Sequence, residues 1–168
     1  DGPLKTKFAV MEDADLITSH NLVGEINPKY PKENQPRDRR TPSSIERTRD
    51  RGNKLNPQKL MDNPIPKFGS PIVDENGVVE SGNGRTLTVR HAYLTGQKGR
   101  EYKQSLIKES GVHGIDPKVI QSMKRPVLVR IRQEDVDVKK LTKELNDPEV
   151  DTYSATEQTK VDSERLDD

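Results

Sequence analysis

A glycine-rich turn between a strand and a helix is the feature that most restricts the fold of this chain. Residues 77–80 are typical of a strand, Gly82 and Gly84 bracket the turn, and Arg85 begins a helical pattern. Glycines take positive φ and bring backbone amides against a ligand, and a helix N-terminus favours an anion. The sequence therefore predicts a phosphate site from Gly82 to Thr86, with Arg85 offering a guanidinium fork.

A simpler interpretation of this turn also stays open. The two glycines can form a tight connection only, with Arg85 a solvated residue of the first helical turn. The turn lacks the length and the lysine of a Walker loop, and Leu87 stands where a dinucleotide fingerprint has its third glycine. Both familiar nucleotide-binding folds are therefore disfavoured.

The surrounding pattern predicts an α/β domain of the α+β kind, compact, with a small mixed sheet flanked by helices. A hairpin turning at Asn76-Gly77 leads into the glycines, and a β-branched, partly basic strand pairs near it. Predicted extended segments are 7–11, 16–18, 71–73, 78–80 and 127–131. Predicted helices are 43–51, a short one from Asn56, 85–94, one around 102–107, one from Asp116, 136–145 and one opening at Ser154.

Composition limits the chemistry and suggests a location. The 168 residues contain no cysteine, which excludes thiol nucleophiles and zinc–thiolate sites. No apolar run reaches membrane-spanning length, so we expect a cytoplasmic protein without a membrane partner. We expect residues 1–6 to be a linker, residues 7–152 the domain, and residues 153–168 a C-terminal helix leading to other domains of a longer polypeptide.

Charge is balanced overall but locally basic. From Arg37 to Lys54 the chain has seven basic and three acidic residues, without an aromatic platform. This predicts weak, sequence-independent binding of DNA by phosphate contacts. The predicted nucleic-acid residues are Arg39, Arg40, Arg47, Arg49 and Arg51.

Glu80 is the candidate acidic residue beside the turn. A carboxylate at a strand end can hold a cation or activate water, and a solvent-facing residue of an edge strand is an equal alternative. The three histidines, His20, His91 and His113, show no metal spacing. A structural or surface role is expected for each, with His20 also a candidate to line the pocket.

The order of these segments resembles the ParB/sulfiredoxin-like superfamily, most closely the DdrB-like ParB domain of phage and mobile-element polyvalent proteins. The resemblance spans roughly residues 7–165. It rests on Asn27-Pro28 to Gln35-Pro36-Arg37, Pro71 to Arg85, Pro126 to Val129, Glu144 to Asn146 and Ser154 to Glu157.

The resemblance implies one pocket that binds a nucleoside triphosphate with magnesium. By this carry-over Gln35 and Arg37 join Gly82, Asn83, Gly84, Arg85 and Thr86 as phosphate or nucleotide residues. Glu144 and Asn146 join Glu80 as Mg²⁺ ligands, and any hydrolysis would require Glu80 and Asn146.

The sequence also departs from the partition proteins of that superfamily. Only one arginine follows the glycines, and Asn146 is followed by Asp147-Pro148 rather than by an arginine. Asn83 stands near the cysteine position of sulfiredoxin, so that activity is excluded. We expect a nucleotide-binding module, with slow triphosphate hydrolysis left open. A metal-dependent nuclease and a non-catalytic DNA-binding scaffold are the alternatives.

Overall fold

The computed structural model describes residues 5–34, 41–61, 63 and 68–133. Within them the elements are β1 (Thr6–Glu12), α1 (Pro42–Asn53), β2 (Ile72–Val73), β3 (Val79–Ser81), α2 (Asn83–Thr95), α3 (Gln97–Lys108), α4 (Pro117–Ser122) and β4 (Pro126–Arg132). The predicted α+β class, with a small mixed sheet and flanking helices, is confirmed. The helices predicted at 136–145 and from Ser154 lie outside the described residues.

The sheet has the strand order β1-β4-β2-β3. β4 is antiparallel to β1 and parallel to β2, and β2 is antiparallel to β3. The predicted hairpin is confirmed: the Asp74 carboxylate accepts from the amides of Asn76 and Val78, both at 2.9 Å, and Gly77 has a φ of +87°. Because of this hairpin, β3 runs directly into Gly82 and Gly84.

The extended segment predicted at 16–18 forms less sheet than expected. It makes one isolated parallel bridge, Ile17 to Val78. The Ile17 amide donates to Gly77 O at 2.9 Å, and the Val79 amide donates to Ile17 O at 3.0 Å. A 3₁₀ turn over Asp13–Asp15 separates this segment from β1, so the chain reaches β3 only briefly.

Local signals place the helix ends. Thr41 caps α1 by accepting from the Ser44 amide at 3.2 Å, with Pro42 in the first turn. α2 begins at Asn83, two residues before the predicted start, because Gly82 adopts the left-handed conformation and acts as its N-cap. α2 ends at Thr95 with Gly96 as its C-cap residue, one residue beyond the predicted end at 94.

The core lies between the sheet and α2 and α3. Its fully buried members include Val89 and Ala92 of α2, Tyr102 of α3, and Val127 and Val129 of β4. α1 packs on the outer side of α2, where Gly52 allows the helices to approach: a Cβ there would lie 2.7 Å from the His91 ring. No helix among the described residues is both long and apolar enough to cross a membrane.

Arg130 of β4 anchors the segment that precedes β2. Its Nε donates to Ser70 O at 2.9 Å, its Nη1 to Asn63 O at 3.0 Å, and its Nη2 to Phe68 O. The side chain is almost fully buried, at 5% exposure. A guanidinium has five N–H donors, so Arg130 alone satisfies several carbonyls of the segment before β2. It thereby holds the start of β2 in place near Gly82 and Gly84.

Candidate functional site

The turn formed by residues 82–86, called here the glycine turn, is a buried helix N-terminus. Gly82 has a φ of +98°, and its carbonyl accepts from both the amide and the Oγ1 of Thr86 at 2.8 Å. Asn83 and Gly84 come before the first amide that bonds back within this turn, so helix geometry gives their amides no acceptor inside α2. No acidic residue lies in the first turn of α2. The turn thus offers amide donors and the positive end of a helix dipole.

Glycine is required at position 82 by its surroundings as well as by its φ. A Cβ there would lie 3.0 Å from Nε and Nη2 of Arg85 and 3.0 Å from the Cα of Pro71. The Arg85 guanidinium therefore packs directly against the turn. This close packing holds together the start of β2 at Pro71, the glycine turn and the first turn of α2.

Arg85 is buried behind the turn, at 3% exposure, so its interpretation as a solvated residue is wrong. Its Nη1 donates to Gly69 O at 2.9 Å, and its Nη2 donates to Ser81 Oγ at 3.0 Å. In this position Arg85 joins the segment before β2 to the end of β3. Its charge lies beside the first-turn amides and adds to the positive potential there.

Asn83, the first residue of α2, uses its side chain inside the protein. Its Oδ1 accepts from the Ser19 amide at 2.8 Å, and its Nδ2 donates to the Tyr30 hydroxyl at 3.3 Å. Tyr30 in turn donates to Val79 O at 2.6 Å. Both polar atoms of the Asn83 side chain are therefore engaged within the protein, and its backbone amide is one of the first-turn donors of α2.

Glu80 is held in a buried ion pair. Its Oε1 accepts from Nε of Arg132 at 2.7 Å and its Oε2 from Nη2 at 3.0 Å, with the Glu80 side chain 1% exposed. The alternative of a solvent-facing Glu80 is therefore wrong. Arg132 occupies one acceptor site on each oxygen, and the 1% exposure of the side chain disfavours an open, solvated carboxylate. The roles of Glu80 as a metal ligand and a general base stay predictions. The described residues contain no group of three or more metal-binding side chains.

Comparison with known families identifies the domain. The ddrB-like ParB superfamily domain matches residues 1–133, about four-fifths of the chain. The chain belongs to this superfamily. The match confirms the resemblance, and it includes the glycine turn. Searches of curated proteins and of solved structures return no match.

Part of the predicted site of this ddrB-like ParB domain lies outside the described residues. These residues are Gln35, Arg37, Arg39, Arg40, Glu144 and Asn146. Glu144 and Asn146 also lie beyond the family match, which ends at residue 133. Their assignment to nucleotide, DNA or magnesium stays a prediction.

The predicted DNA-binding arginines on α1 are partly accessible. Arg47 and Arg49 are exposed, and Arg51 is half-buried. His91 of α2 contacts α1 through a 3.1 Å hydrogen bond with Asn53. Burial lowers the pKa of His91, and the nearby Arg49 charge lowers it further. α1 therefore presents two exposed cations, Arg47 and Arg49, to solvent.

A polar cavity of about 390 Å³ lies along α2, on the side of the loop before residue 30. His20 lines it, is fully buried, and bonds through Nδ1 to Ser19 Oγ at 2.9 Å. Arg90, also in the lining, pairs with Asp13 at 3.0 Å. Burial raises the pKa of Asp13, although the Arg90 charge opposes the rise. The cavity is lined by Thr18, His20, Asn21, Glu25, Ile26, Asn27, Pro28 and Arg90.

Sequence reasoning missed the residues that hold the glycine turn in place. Tyr30 and Ser19 secure Asn83, and Arg130 secures the segment before β2. The apolar–basic alternation of β4 signalled Arg130 and Arg132 as a pair on one face of the strand. Tyr30 gave a weaker signal, as an aromatic residue in an otherwise proline-rich and charged loop.

Proposed function

We propose that this ddrB-like ParB domain binds a phosphate-bearing ligand, a nucleotide in the first place, at the glycine turn. The observation that carries the proposal is the left-handed Gly82 opening a buried helix N-terminus, with the Arg85 guanidinium packed against it. Backbone amides, helix dipole and cation all favour an anion at one point. The family relationship supports a nucleotide, because nucleotide binding is what the ParB resemblance implies.

The proposal is for binding rather than for hydrolysis. Activation of water by Glu80 is disfavoured, because its side chain is 1% exposed and each of its oxygens already accepts from Arg132. Magnesium stays a possible companion of the ligand's own phosphates, with Glu144 and Asn146 its predicted ligands. A phage or mobile-element context also stays a prediction from the resemblance.

The direct test is a titration of the ¹⁵N-labelled protein with inorganic phosphate and with the four ribonucleoside triphosphates, each with and without magnesium. We expect the Gly82, Gly84 and Arg85 amide resonances to shift at saturating ligand. In a thermal-shift assay, a ligand at a hundred times its Kd should stabilise the domain by about 2.7 kcal/mol.

Arg85→Ala should weaken binding by about tenfold or more, because it removes the cation beside the amides. The matched control is Arg100→Ala, which removes an exposed arginine on α3. Both proteins are compared at a temperature where circular dichroism shows them folded. Equal affinity of the Arg85→Ala and wild-type proteins would refute the assigned site.

A second candidate function, electrostatic DNA binding, is favoured by the exposure of Arg47 and Arg49 on α1. We expect weak binding to any duplex, falling steeply with salt. In fluorescence anisotropy, each arginine replaced by alanine should reduce the slope of log K against log salt by about 0.9 if it neutralises one phosphate. Arg100→Ala is again the control. Tight binding at high salt, or a strong sequence preference, would contradict this mode.

A further inference from the structure

Asn83 links two separate parts of the candidate site. Its backbone begins α2, and its side chain reaches the loop formed by residues 19–30, called here the Ser19–Tyr30 loop. Oδ1 accepts from the amide at the loop's first residue at 2.8 Å, and Nδ2 donates to the hydroxyl of its last at 3.3 Å. Asn83 is buried, with 3% exposure, so these bonds are sheltered from competing water.

The hydroxyl of Tyr30 has one proton to donate, and within the part of the chain that the structure describes two carbonyls lie near it. Val79 O is at 2.6 Å and Asn34 O at 3.4 Å, so the proton goes to Val79. The hydroxyl's lone pairs then face Asn83. Tyr30 is therefore both a donor to β3 and an acceptor from α2, the two elements that flank Gly82.

The Ser19–Tyr30 loop is itself closed by backbone bonds. The Asn27 amide donates to Ser19 O at 2.9 Å, and the Tyr30 amide donates to Asn27 O at 3.1 Å. The Asn27 side chain also donates to Thr18 O at 2.9 Å. Movement at either end of the loop is therefore transmitted to Asn83.

We infer that Asn83 and Tyr30 are positioning residues, which couple phosphate binding at the glycine turn to ordering of the Ser19–Tyr30 loop. The inference rests on the proposed function. A phosphate on the Asn83 and Gly84 amides fixes the first turn of α2, and the Asn83 side chain passes that restraint to Ser19 and Tyr30. By linkage, the factor by which bound phosphate favours the ordered loop equals the factor by which loop order strengthens phosphate binding. A variant that loosens the loop should therefore bind phosphate more weakly.

The cavity lined by His20 and Arg90 is not a second half of the same ligand site. Arg90 follows Asn83 by seven residues, about 10 Å along the helix axis. Ser19, whose amide bonds to Asn83, is fully buried, and neither Ser19 nor Asn83 lines the cavity. The connection between the loop and the turn is therefore a protein contact.

The test compares Tyr30→Phe with Tyr93→Phe. Each removes a tyrosine hydroxyl that donates to a backbone carbonyl, Val79 O for Tyr30 and Pro126 O for Tyr93, the latter at 2.5 Å. Tyr93 lies ten residues after Asn83, about 15 Å along α2. We expect both variants to melt at lower temperature than the wild type. In the inorganic phosphate titration only Tyr30→Phe should bind more weakly, by about three- to tenfold.

Hydrogen exchange gives a readout that a merely structural role would not change. In the wild type, inorganic phosphate should slow exchange of the Ser19 and Asn27 amides. In Tyr30→Phe that ligand-dependent protection should be lost while the Gly84 resonance still shifts. The wild-type experiment alone decides the matter if the variant does not fold.

The outcomes separate the inference from the proposed function. Absence of any shift at Gly82, Gly84 or Arg85 in the wild type would overturn the proposed function and this inference with it. Phosphate binding at the turn without protection of Ser19 and Asn27, or with equal affinity in Tyr30→Phe, would overturn the inference alone.

Discussion

Gly82→Ala is the substitution that most directly tests the geometry of the glycine turn. Gly82 has a φ of +98°, which an L-residue adopts only under strain. The added Cβ would also lie 3.0 Å from the Cα of Pro71 and from two nitrogens of Arg85. The backbone atom cannot move aside as a flexible side-chain end can, so both effects should appear in the free energy of unfolding.

The two effects have separate magnitudes. The left-handed conformation costs alanine about 1–2 kcal/mol. Forcing a methyl group into a packed site costs about 1–3 kcal/mol. The lower entropy of the unfolded alanine chain returns about 0.4–1 kcal/mol. We therefore expect Gly82→Ala to destabilise the domain by about 1–5 kcal/mol, with about 3 kcal/mol as the central value, and to weaken phosphate binding.

Two other glycines are internal controls for these magnitudes. Gly114 has a φ of +70° but no atom within 4 Å of an added Cβ, so Gly114→Ala should show the conformational cost alone. Gly111 has neither the positive φ nor a neighbour within 4 Å, so Gly111→Ala should be neutral or slightly stabilising.

Urea unfolding of the three variants, followed by circular dichroism, measures the series. With an m-value of about 2 kcal/mol/M, a loss of 3 kcal/mol lowers the midpoint by about 1.5 M. We expect Gly111→Ala to be the most stable of the three variants, Gly114→Ala to be less stable, and Gly82→Ala to be the least stable. If Gly82→Ala were no less stable than Gly114→Ala, the close approach of Pro71 and Arg85 to the turn would be refuted.

Two further predictions concern charged and titratable groups. Glu80→Gln should lower the free energy of unfolding by about 3 kcal/mol because it leaves the buried Arg132 without its carboxylate, and an unchanged urea midpoint would contradict the ion pair. The matched change Glu101→Gln, in the half-exposed ion pair with Lys98, should cost less than about 1 kcal/mol. Burial, then Arg49, lowers the pKa of His91 from 6.5, so protonation costs the folded state more than the unfolded state and stability falls as pH drops through 6.5. His91→Gln should lessen that fall between about pH 7.5 and 5.5, and an unchanged pH slope would count against it.

Much of the fold could be predicted from local signals. The Asn76-Gly77 turn, the Thr41-Pro42 cap and the alternation of β4 each determine one element with little help from tertiary contacts. The start of α2 was missed by two residues, because only the three-dimensional approach of Pro71 and Arg85 shows that Gly82 is the N-cap. The short pairing of Ile17 could not be predicted, since hydrophobic pattern alone does not measure ladder length.

The candidate site was predictable at its backbone and less so at its side chains. The two glycines predict where the helix begins, and the structure has Gly82 as the N-cap of α2 and Gly84 in its first turn. Binding of an anion to the amides there stays a prediction. The directions of Arg85 and Glu80 depend on partners distant in sequence, Gly69 for the first and Arg132 for the second. A single sequence does not show such pairings, so an outward fork and an open carboxylate were the natural predictions.

The position of β1 has a consequence for how the domain is synthesised. β1 lies at the sheet edge and pairs with β4, its Glu12 opposite Pro126, so about 110 residues separate the partners. At ribosomal speeds of about 5–20 residues per second, β1 leaves the ribosome on the order of ten seconds before its partner. During that interval its backbone groups can pair with a neighbouring nascent chain, and Lys5 and Lys7 are charges that oppose this. The pairing of β1 with β4 extends to the Gln133 amide, which donates to Lys5 O at 3.0 Å.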